Sequence, residues 1–568
     1  MHDRINRAAL ACLAFVTASS PAVAQQTRGP AVQVNGGAAG SPGGLLREFR
    51  PIGGGGNDLR NPALNAVPGN PELALTPLLF APGTNDGLIA GPNPRTISNV
   101  IAGGSGAGGQ DAQTTDPVLS AWMYVFGQFV DHDIDLEETP ANSAAINIAI
   151  PAGDPTFQAG TVIAMTRDTR NPATNTIVNT VAGYLDLSQL YGSTAAVATS
   201  LVNPDGTLQS SYNGLALPVV NNMFVTGDPR VMENPELTAV TTLFMREHNF
   251  WVRSLKVRHP NWTAGQLYGM AKAITTAEYQ NIIYSEYLPA LLGPVLGPYR
   301  GYDPTVNAQV SQEFSTAAFR MGHSQVSDTQ EGLGPNGNVL FTESIAQAFF
   351  NTASIDVANG IDPLLRSLGA DYSQATDPYT VAALRNLLVA GLVGGDVDQI
   401  DLIAIDVQRE RDVGLGTLNQ TRRAIGMQPY ASFAQLTSDP ELQRDYAAVY
   451  GSIDNVDLFM GGLAEAHAPG ANVGPTFQFI IANQFSRLRT GDRFFWQNQG
   501  FDAQTAAMIS SATVSTLLRR DSTVANAPSN VFIEAPVTAV RHVKAHVAPP
   551  AVIDAHGRRG KPFLNDGT

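Results

Sequence analysis

The chain has 568 residues and a formal net charge of -15. This negative charge argues against nucleic acid or an anionic membrane as the main partner. The only cysteine, Cys12, lies in a segment that we expect to be removed. A disulfide framework, a cysteine zinc site and a thiolate ligand to any other metal are therefore excluded for the mature chain.

Residues 1–24 have the pattern of a signal peptide. Arg4 and Arg7 precede an apolar run over residues 8–16, and Ala22-Val23-Ala24 forms a small-residue cleavage site. The apolar run is too short to span a bilayer, and no later stretch is long enough. We expect a secreted protein, extracellular or periplasmic, without a transmembrane segment.

The rest of the chain divides by composition. Residues 25–115 are rich in Gly, Pro, Asn and Ala with little periodicity, which predicts an extended N-terminal arm. Helical patterns dominate residues 116–535, without βαβ alternation or a fixed repeat, so we expect one large, mainly α-helical domain with little β structure. Residues 536–568 are predicted to form a flexible tail.

Helix starts can be predicted at two places. Asp116 followed by Pro117 is typical of an N-cap with proline at the first helical position, and Asn234 followed by Pro235 has the same form. Two further helices are predicted over residues 265–288 and 480–488.

The first of these helices carries an unusual polar stripe. Gln128, Asp131, His132 and Asp135 follow one another at i, i+3, i+4 and i+7, so they share one face, whereas Asp133 points elsewhere. Buried carboxylates are unfavourable unless they are paired, metal-bound or covalently consumed. The stripe therefore predicts an occupied site, and a solvated acidic helix end is the alternative.

Several segments, in the same order, resemble the animal-type haem peroxidases of the peroxidase-cyclooxygenase superfamily. The resemblance extends over residues 47–535 and rests on residues 50–65, 94–99, 127–135, 184–193, 230–249, 319–323, 408–419 and 484–495. It implies a helical haem-peroxidase domain that binds haem b. It also implies an enzyme that reduces hydrogen peroxide through a ferryl intermediate and then oxidises a small electron donor, either a halide, thiocyanate or a phenol.

The peroxide step requires a neutral histidine that can accept and return a proton, and His132 fits that role. Charge on the departing oxygen calls for a permanent cation, and the resemblance assigns this task to Arg230. By the same resemblance, Gln128 would hold a distal water molecule or a halide.

The iron also needs an axial ligand, and without a cysteine a histidine is the realistic choice. The resemblance selects His323 and implies that Asn419 accepts a hydrogen bond from its other ring nitrogen. A neutral amide would give the ligand less imidazolate character than a carboxylate. Arg320, and more weakly Arg422, would hold the haem propionates.

Two carboxyl groups gain a covalent role from the resemblance. Asp131 and Glu233 match the positions that form ester bonds to the haem methyl groups. In one branch of the family the next residue forms a sulfonium bond to the haem, and here that residue is Asn234, which cannot do so.

A calcium site is implied by Asp133 together with a loop in which Ala182, Tyr184, Asp186 and Ser188 alternate. Oxygen ligands of this kind suit calcium better than a transition metal. The family has threonine where this chain has Ala182, which can offer only its backbone carbonyl. Without the resemblance, the loop would be interpreted as a strand and a turn.

Two other functions remain open. A fatty-acid dioxygenase of the same superfamily would need a tyrosine three residues before the proximal histidine, where this chain has Arg320. A secreted adhesion or matrix protein on the same scaffold would need no enzymatic activity. The sequence does not determine the oligomeric state.

Overall fold

The computed structural model describes residues 32, 46, 48–84, 86–104, 113–140, 142–221, 223–349, 355, 360–390 and 397–533. The predicted signal peptide, nearly all of residues 25–47 and the predicted tail lie outside these ranges. The described residues lie in one compact unit that ends at Ala535.

Helices account for most of the regular structure, which confirms the predicted fold class. The helices of eight or more residues are α1 (Trp122–Ile134), α2 (Pro235–Arg258), α3 (Ala264–Ile282), α4 (Ile361–Leu368), α5 (Leu402–Asp412), α6 (Pro440–Tyr450), α7 (Pro475–Thr490), α8 (Ala503–Ser510) and α9 (Val514–Asp521). Shorter α-helices are Pro94–Ile97, Ser188–Tyr191, Ala195–Ser200, Leu288–Leu292, Gln312–Ser315, Ile345–Ala348, Ala382–Arg385, Leu418–Ala424, Phe433–Leu436, Leu458–Ala464 and Trp496–Gln499. Further helical turns are Ile52–Gly54, Pro62–Leu64, Ser98–Ala102, Tyr212–Gly214, Pro229–Met232, Ile283–Tyr287, Ala318–His323 and Ile453–Asn455.

The strands are short and form antiparallel pairs. They are β1 (Thr115–Ser120), β2 (Ile148–Ala149), β3 (Val162–Ile163), β4 (Val219–Val220), β5 (Met223–Phe224), β6 (Thr329–Leu333), β7 (Val339–Ser344), β8 (Tyr372–Gln374), β9 (Leu387–Ala390) and β10 (Val397–Ile400). The pairs are β1 with β8, β2 with β3, β4 with β5, β6 with β7, and β9 with β10.

Helix α1 begins six residues later than the predicted cap. Asp116 does not cap the helix; its side chain accepts hydrogen bonds from the backbone of Val118 and Leu119, within strand β1. The Ser120 hydroxyl instead accepts a hydrogen bond from the backbone N–H of Trp122 at 3.2 Å. The prediction was wrong because the pairing of β1 with β8, 252 residues further along the chain at Tyr372, fixes this segment as extended.

The apolar face of α1 lies in the main core. The Phe129 ring stacks on Phe244 of α2 with ring centroids 4.9 Å apart, and it meets Tyr279 of α3 edge to face at 5.7 Å. Such aromatic pairs contribute about 0.5–1.5 kcal/mol each beyond the burial of their surface. These contacts hold the polar face of α1 in a fixed orientation.

The other predicted helices are present. Asn234 caps α2, since its Oδ1 accepts a hydrogen bond from the backbone of Leu237 at 2.7 Å, and Pro235 is the first residue of that helix. Helix α3 and the turns that follow it cover the predicted segment 265–288, and α7 extends the predicted segment 480–488 at both ends.

Part of the predicted arm is built into the core. Arg95 in the helix Pro94–Ile97 is fully buried and bonds to the carboxylates of Asp154 and Asp401. This region is therefore not wholly extended, because it forms the short helix Pro94–Ile97 and buries Arg95 against carboxylates from distant segments.

Candidate active site

A cavity with a volume of about 110 Å³ lies between α1 and the helical turn Ala318–His323. The polar residues that line it are Gln128, Asp131, His132, Glu233, Asn234, Arg320, His323 and Gln330. Apolar side chains, including Met123, Val326, Ile345, Leu384 and Leu402, cover the rest of the wall.

At one end of the cavity, four side chains follow one another in contact. Asn234 Nδ2 donates to Gln128 Oε1 at 2.7 Å, and Gln128 Nε2 donates to Glu233 Oε2 at 2.7 Å. His132 Nε2 lies 3.5 Å from the same oxygen of Glu233. The structure thus brings together Gln128, His132 and Glu233, which sequence reasoning had singled out, and adds Asn234 to them.

Arg230 does not line the cavity. Its guanidinium forms two bonds to Asp228, at 3.0 and 2.8 Å, and donates to the backbone carbonyls of Asp135 and His132 at 2.7 and 3.4 Å. Although burial opposes it, the charge of Arg230 lowers the pKa of Asp228. A cation bonded to the last carbonyls of a helix complements the helix dipole. Arg230 therefore fixes the end of α1 that carries His132.

His323, in the helical turn Ala318–His323, also lines the cavity. Its Nδ1 lies 2.6 Å from Asp406 Oδ2, and the Asp406 side chain is fully buried in α5. The second oxygen of Asp406 accepts a hydrogen bond from Arg320 Nη1 at 3.0 Å. A carboxylate held by an arginine acts as an acceptor, so Nδ1 carries a proton, and in the neutral ring Nε2 has the free lone pair. This tautomer is the one a metal-binding histidine requires.

The predicted partner of His323 was therefore wrong. Asn419 lies outside the cavity lining, and its amide bonds to the backbone of Tyr430 through both ends, at 2.9 and 2.8 Å, and to Asp454 at 2.8 Å. Its hydrogen-bonding capacity is used to hold the loop after the helix Leu418–Ala424. Arg422 likewise bonds to Glu465 and Thr476 and is not part of the cavity lining.

Arg320 lines the cavity, and its guanidinium is held from two sides. Nη2 donates to Glu137 Oε1 at 2.8 Å, Nη1 donates to Asp406, and Nε donates to the backbone of Ser315 at 2.7 Å. The two carboxylates raise the pKa of Arg320 although burial lowers it. A permanent positive charge therefore borders the cavity beside His323.

Asp131 also lines the cavity, whereas Asp135 does not. Burial first, and then the carboxylate of Asp135, raises the pKa of Asp131 well above its ordinary value. Asp135 caps the end of α1, and its backbone carbonyl is bound by Arg230. Of the four residues in the predicted stripe, three face the cavity.

Three buried polar atoms in the cavity wall have no hydrogen-bond partner among the described residues. They are Glu233 Oε1, the Tyr287 hydroxyl and Gln330 Oε1. Unsatisfied buried polar groups are rare because each one costs free energy. Together with the apolar walls and His323 Nε2, which has no hydrogen-bond partner among the described residues, they fit a mainly apolar group that carries a metal and some polar substituents. Haem is such a group.

The predicted calcium loop lies beside α1. Asp133 accepts hydrogen bonds from the backbone of Leu187 and Ser188, and the Ser188 hydroxyl donates to the backbone carbonyl of Asp133 at 2.7 Å. Leu187 has φ = 59°, in the left-handed region, and the short helix Ser188–Tyr191 follows it, so the strand interpretation of this loop was wrong. Burial, followed by Asp186, raises the pKa of Asp133.

The five predicted calcium ligands include two carboxylates. Asp186 Oδ1 is buried without a hydrogen-bond partner among the described residues, which fits a cation bound at that place. Ala182 is buried, and its backbone N–H donates to Ser193 Oγ at 3.0 Å. No three His, Cys, Asp or Glu side chains in the described ranges are grouped as metal ligands. The loop therefore fits calcium only through backbone and hydroxyl oxygens in addition to the two carboxylates.

Sequence reasoning missed Asp406, Tyr287 and Gln330. Asp406 could have been noticed as a carboxylate between Ile405 and Val407 in an apolar run. Tyr287 lies close to Gly127, where a Cβ atom would be 2.7 Å from the tyrosine hydroxyl. No sequence pattern indicates that contact.

None of the described helices is long and apolar enough to cross a membrane.

The chain is similar to known peroxidases over most of its length. The family model for animal haem peroxidase matches residues 49–532. Peroxinectin A of Dictyostelium discoideum is 31% identical over 523 residues, which cover 86% of this chain and 96% of that protein. Human eosinophil peroxidase is 31% identical over 561 residues, which cover 85% of this chain and 76% of that protein.

Solved structures show the same likeness. Peroxidase A of Dictyostelium discoideum superposes with a TM-score of 0.77 at 29% identity, covering 85% of this chain and 99% of that one. The fatty acid alpha-dioxygenase of Oryza sativa superposes with a TM-score of 0.76 at 20% identity, covering 90% of each chain, and at that identity the likeness concerns the fold alone. The match of the family model to nearly the whole described structure, and the named peroxidases among the relatives, show that this chain belongs to the animal haem peroxidase family and is a haem peroxidase.

Proposed function

We propose that this peroxidase uses hydrogen peroxide to oxidise a small donor, namely a halide, thiocyanate or a phenol, in the cavity between His132 and His323. The observation that carries the proposal is that two histidines from different elements line one cavity, and that the Nδ1 of one is bonded to a buried carboxylate. Haem b, when bound, would supply the reduction of peroxide and the oxidising equivalents for the donor.

His323 would hold the haem iron through Nε2. Asp406 orients the ring and raises its basicity, because the carboxylate accepts the Nδ1 proton. Arg320 would hold a haem propionate through guanidinium N–H groups that its bonds to Glu137 and Asp406 leave unused.

His132 is the proposed base that takes a proton from one peroxide oxygen and returns it to the other. Gln128 would orient the peroxide or a distal water beside it. Arg230, which was expected to stabilise the leaving oxygen directly, would act by holding the carbonyls at the end of α1, and so the position of His132.

Asp131 and Glu233 are the proposed sites of ester bonds to the haem. Both line the cavity, and Glu233 Oε1 has no other partner in the described structure. Acidified organic solvent should leave haem on the protein after treatment with peroxide. Complete extraction would contradict the ester bonds.

Calcium, held by Asp133, Ala182, Tyr184, Asp186 and Ser188, is proposed as a second cofactor. Asp133 follows His132 in α1, and a cation here would therefore stabilise the helix that carries the base. Export through residues 1–24 remains part of the proposal.

The dioxygenase alternative is disfavoured by Arg320, which occupies the position where that activity needs a tyrosine and is engaged in two ion pairs. A purely adhesive role would not account for the two histidines in one cavity.

The test is the absorption spectrum of the purified protein before and after one equivalent of hydrogen peroxide, followed by bromide, iodide and guaiacol in separate samples. A spectrum that changes with peroxide and recovers with one donor would support the proposal and identify the donor class. Oxygen consumption with an unsaturated fatty acid, without any response to peroxide, would favour the dioxygenase.

His132→Ala should slow the peroxide step by about 10²- to 10⁴-fold while haem remains bound. His467→Gln is a matched control, because His467 lies outside the cavity lining and bonds to the backbone carbonyl of Thr376. Unchanged kinetics in His132→Ala would exclude His132 as the base.

A further inference from the structure

Asn234 links the start of helix α2 to the distal end of the cavity, which is the part of the wall formed by Gln128, Glu233 and His132. Its Oδ1 accepts a hydrogen bond from the backbone N–H of Leu237, and its Nδ2 donates to Gln128 Oε1. Gln128 in turn donates from Nε2 to Glu233 Oε2. Three side chains are thus connected in a defined order.

The helix cap fixes the direction of this chain. A backbone N–H can only donate, so the oxygen of Asn234 must face Leu237 and its NH₂ group must face Gln128. The NH₂ group can only donate, and Gln128 must therefore turn its oxygen toward Asn234. A reversed Gln128 amide would bring two NH₂ groups together at Asn234 and two oxygens together at Glu233.

The NH₂ end of Gln128 consequently lies on the side of His132. Gln128 Nε2 and His132 Nε2 both adjoin the same oxygen of Glu233, at 2.7 and 3.5 Å. One N–H of Gln128 is used by Glu233, and the second is the donor that a ligand between Gln128 and His132 would meet.

We propose that Asn234 is a positioning residue that fixes the amide of Gln128, so that the distal end of the cavity recognises ligand atoms that accept hydrogen bonds. The suitable ligands are the oxygen atoms of hydrogen peroxide and small anions such as a halide or thiocyanate. This inference rests on the proposed haem site, since the ligand would lie above the metal.

A neutral probe reports the amide orientation most directly, because its binding does not depend on a charge of its own. Carbon monoxide bound to the reduced holoenzyme is such a probe, because an N–H donor beside it lowers its infrared stretching frequency and a carbonyl oxygen raises it.

Asn234→Asp is the decisive variant. Its carboxylate still accepts the hydrogen bond from Leu237, so the cap is kept, but it can no longer donate to Gln128. The Gln128 amide then meets an oxygen at one end in either orientation, so it should populate both, and the carbon monoxide band should broaden and move to higher frequency. Gln128→Leu removes the amide and should give a single band at higher frequency than the wild type.

A double-mutant comparison removes the effect of the added charge. Asn234→Asp in the Gln128→Leu background should move the band less than Asn234→Asp alone. Asn234→Ser, which keeps a capping oxygen but is too short to reach Gln128, should broaden the band toward higher frequency without added charge.

Equal shifts in the two backgrounds, or an unmoved band in both Asn234 variants, would overturn the inference while leaving the peroxidase assignment intact. A reduced holoenzyme that binds no carbon monoxide in any variant would contradict the proposed haem site, and the inference would fail with it.

Discussion

Replacement of Asp406 by asparagine should raise the midpoint potential of the haem. Asp406 accepts hydrogen bonds from His323 Nδ1 at 2.6 Å and from Arg320 at 3.0 Å. Its charge strengthens electron donation by the imidazole and so stabilises ferric over ferrous iron. The amide in Asp406→Asn keeps the shape but removes this charge.

The size of the effect follows from the strength of that contact. A hydrogen bond to a charged group contributes about 1.5–3 kcal/mol. If this free energy is lost from the ferric state alone, about 59 mV per 1.4 kcal/mol for a one-electron couple gives a rise of roughly 60–120 mV. Arg320 shares the carboxylate, which places the expected value nearer the lower end.

The assay is a potentiometric titration of the haem, followed by its Soret absorption, in the wild type and two variants. Asn419→Ala is the control, because Asn419 bonds to Tyr430 and Asp454 rather than to His323. It should lower the stability of the protein but leave the potential unchanged. A potential that responds to Asn419→Ala and not to Asp406→Asn would refute the proximal pairing.

Three further predictions concern stability. Arg95→Met should lower the free energy of unfolding by about 3–5 kcal/mol in urea denaturation, because it leaves the carboxylates of Asp154 and Asp401 buried without their cation. The control Arg423→Met, at an exposed ion pair, should lower it by no more than about 1 kcal/mol. Equal losses in the two variants would contradict this account. Burial raises the pKa of Glu286 to about 7, so the folded state binds more protons than the unfolded state between about pH 4.5 and 7, and this group makes stability fall as pH rises through that window. Glu286→Gln should gain stability over the wild type from pH 4.5 to 8 by up to about 3 kcal/mol, and a constant difference across that range would exclude the effect. Removal of calcium with a chelator should lower the melting temperature of the wild type. Asp186→Asn should have this lower melting temperature even with calcium present. A melting temperature that neither the chelator nor the substitution changes would contradict the calcium site.

The sequence by itself determined features that depend on neighbouring residues. The spacing of Gln128, Asp131 and His132 put them on one face of a helix, and the order Asn234-Pro235 marked where α2 begins. Both follow from the geometry of a single helix, in which spacing along the chain decides which side chains share a face or meet the terminal N–H groups. The resemblance to a family then added the pairing of this helix with His323.

Tertiary structure decided which distant side chains meet. His323 and Asp406 are 83 residues apart, and no local pattern shows that Asp406, rather than Asn419 13 residues further along, meets His323. Strand pairing, rather than the local sequence, made Asp116 part of a strand. These outcomes depend on how whole elements pack. A hydrogen bond or β-ladder between distant segments forms only where the packed core brings a donor and an acceptor within reach, and the sequence does not give that distance.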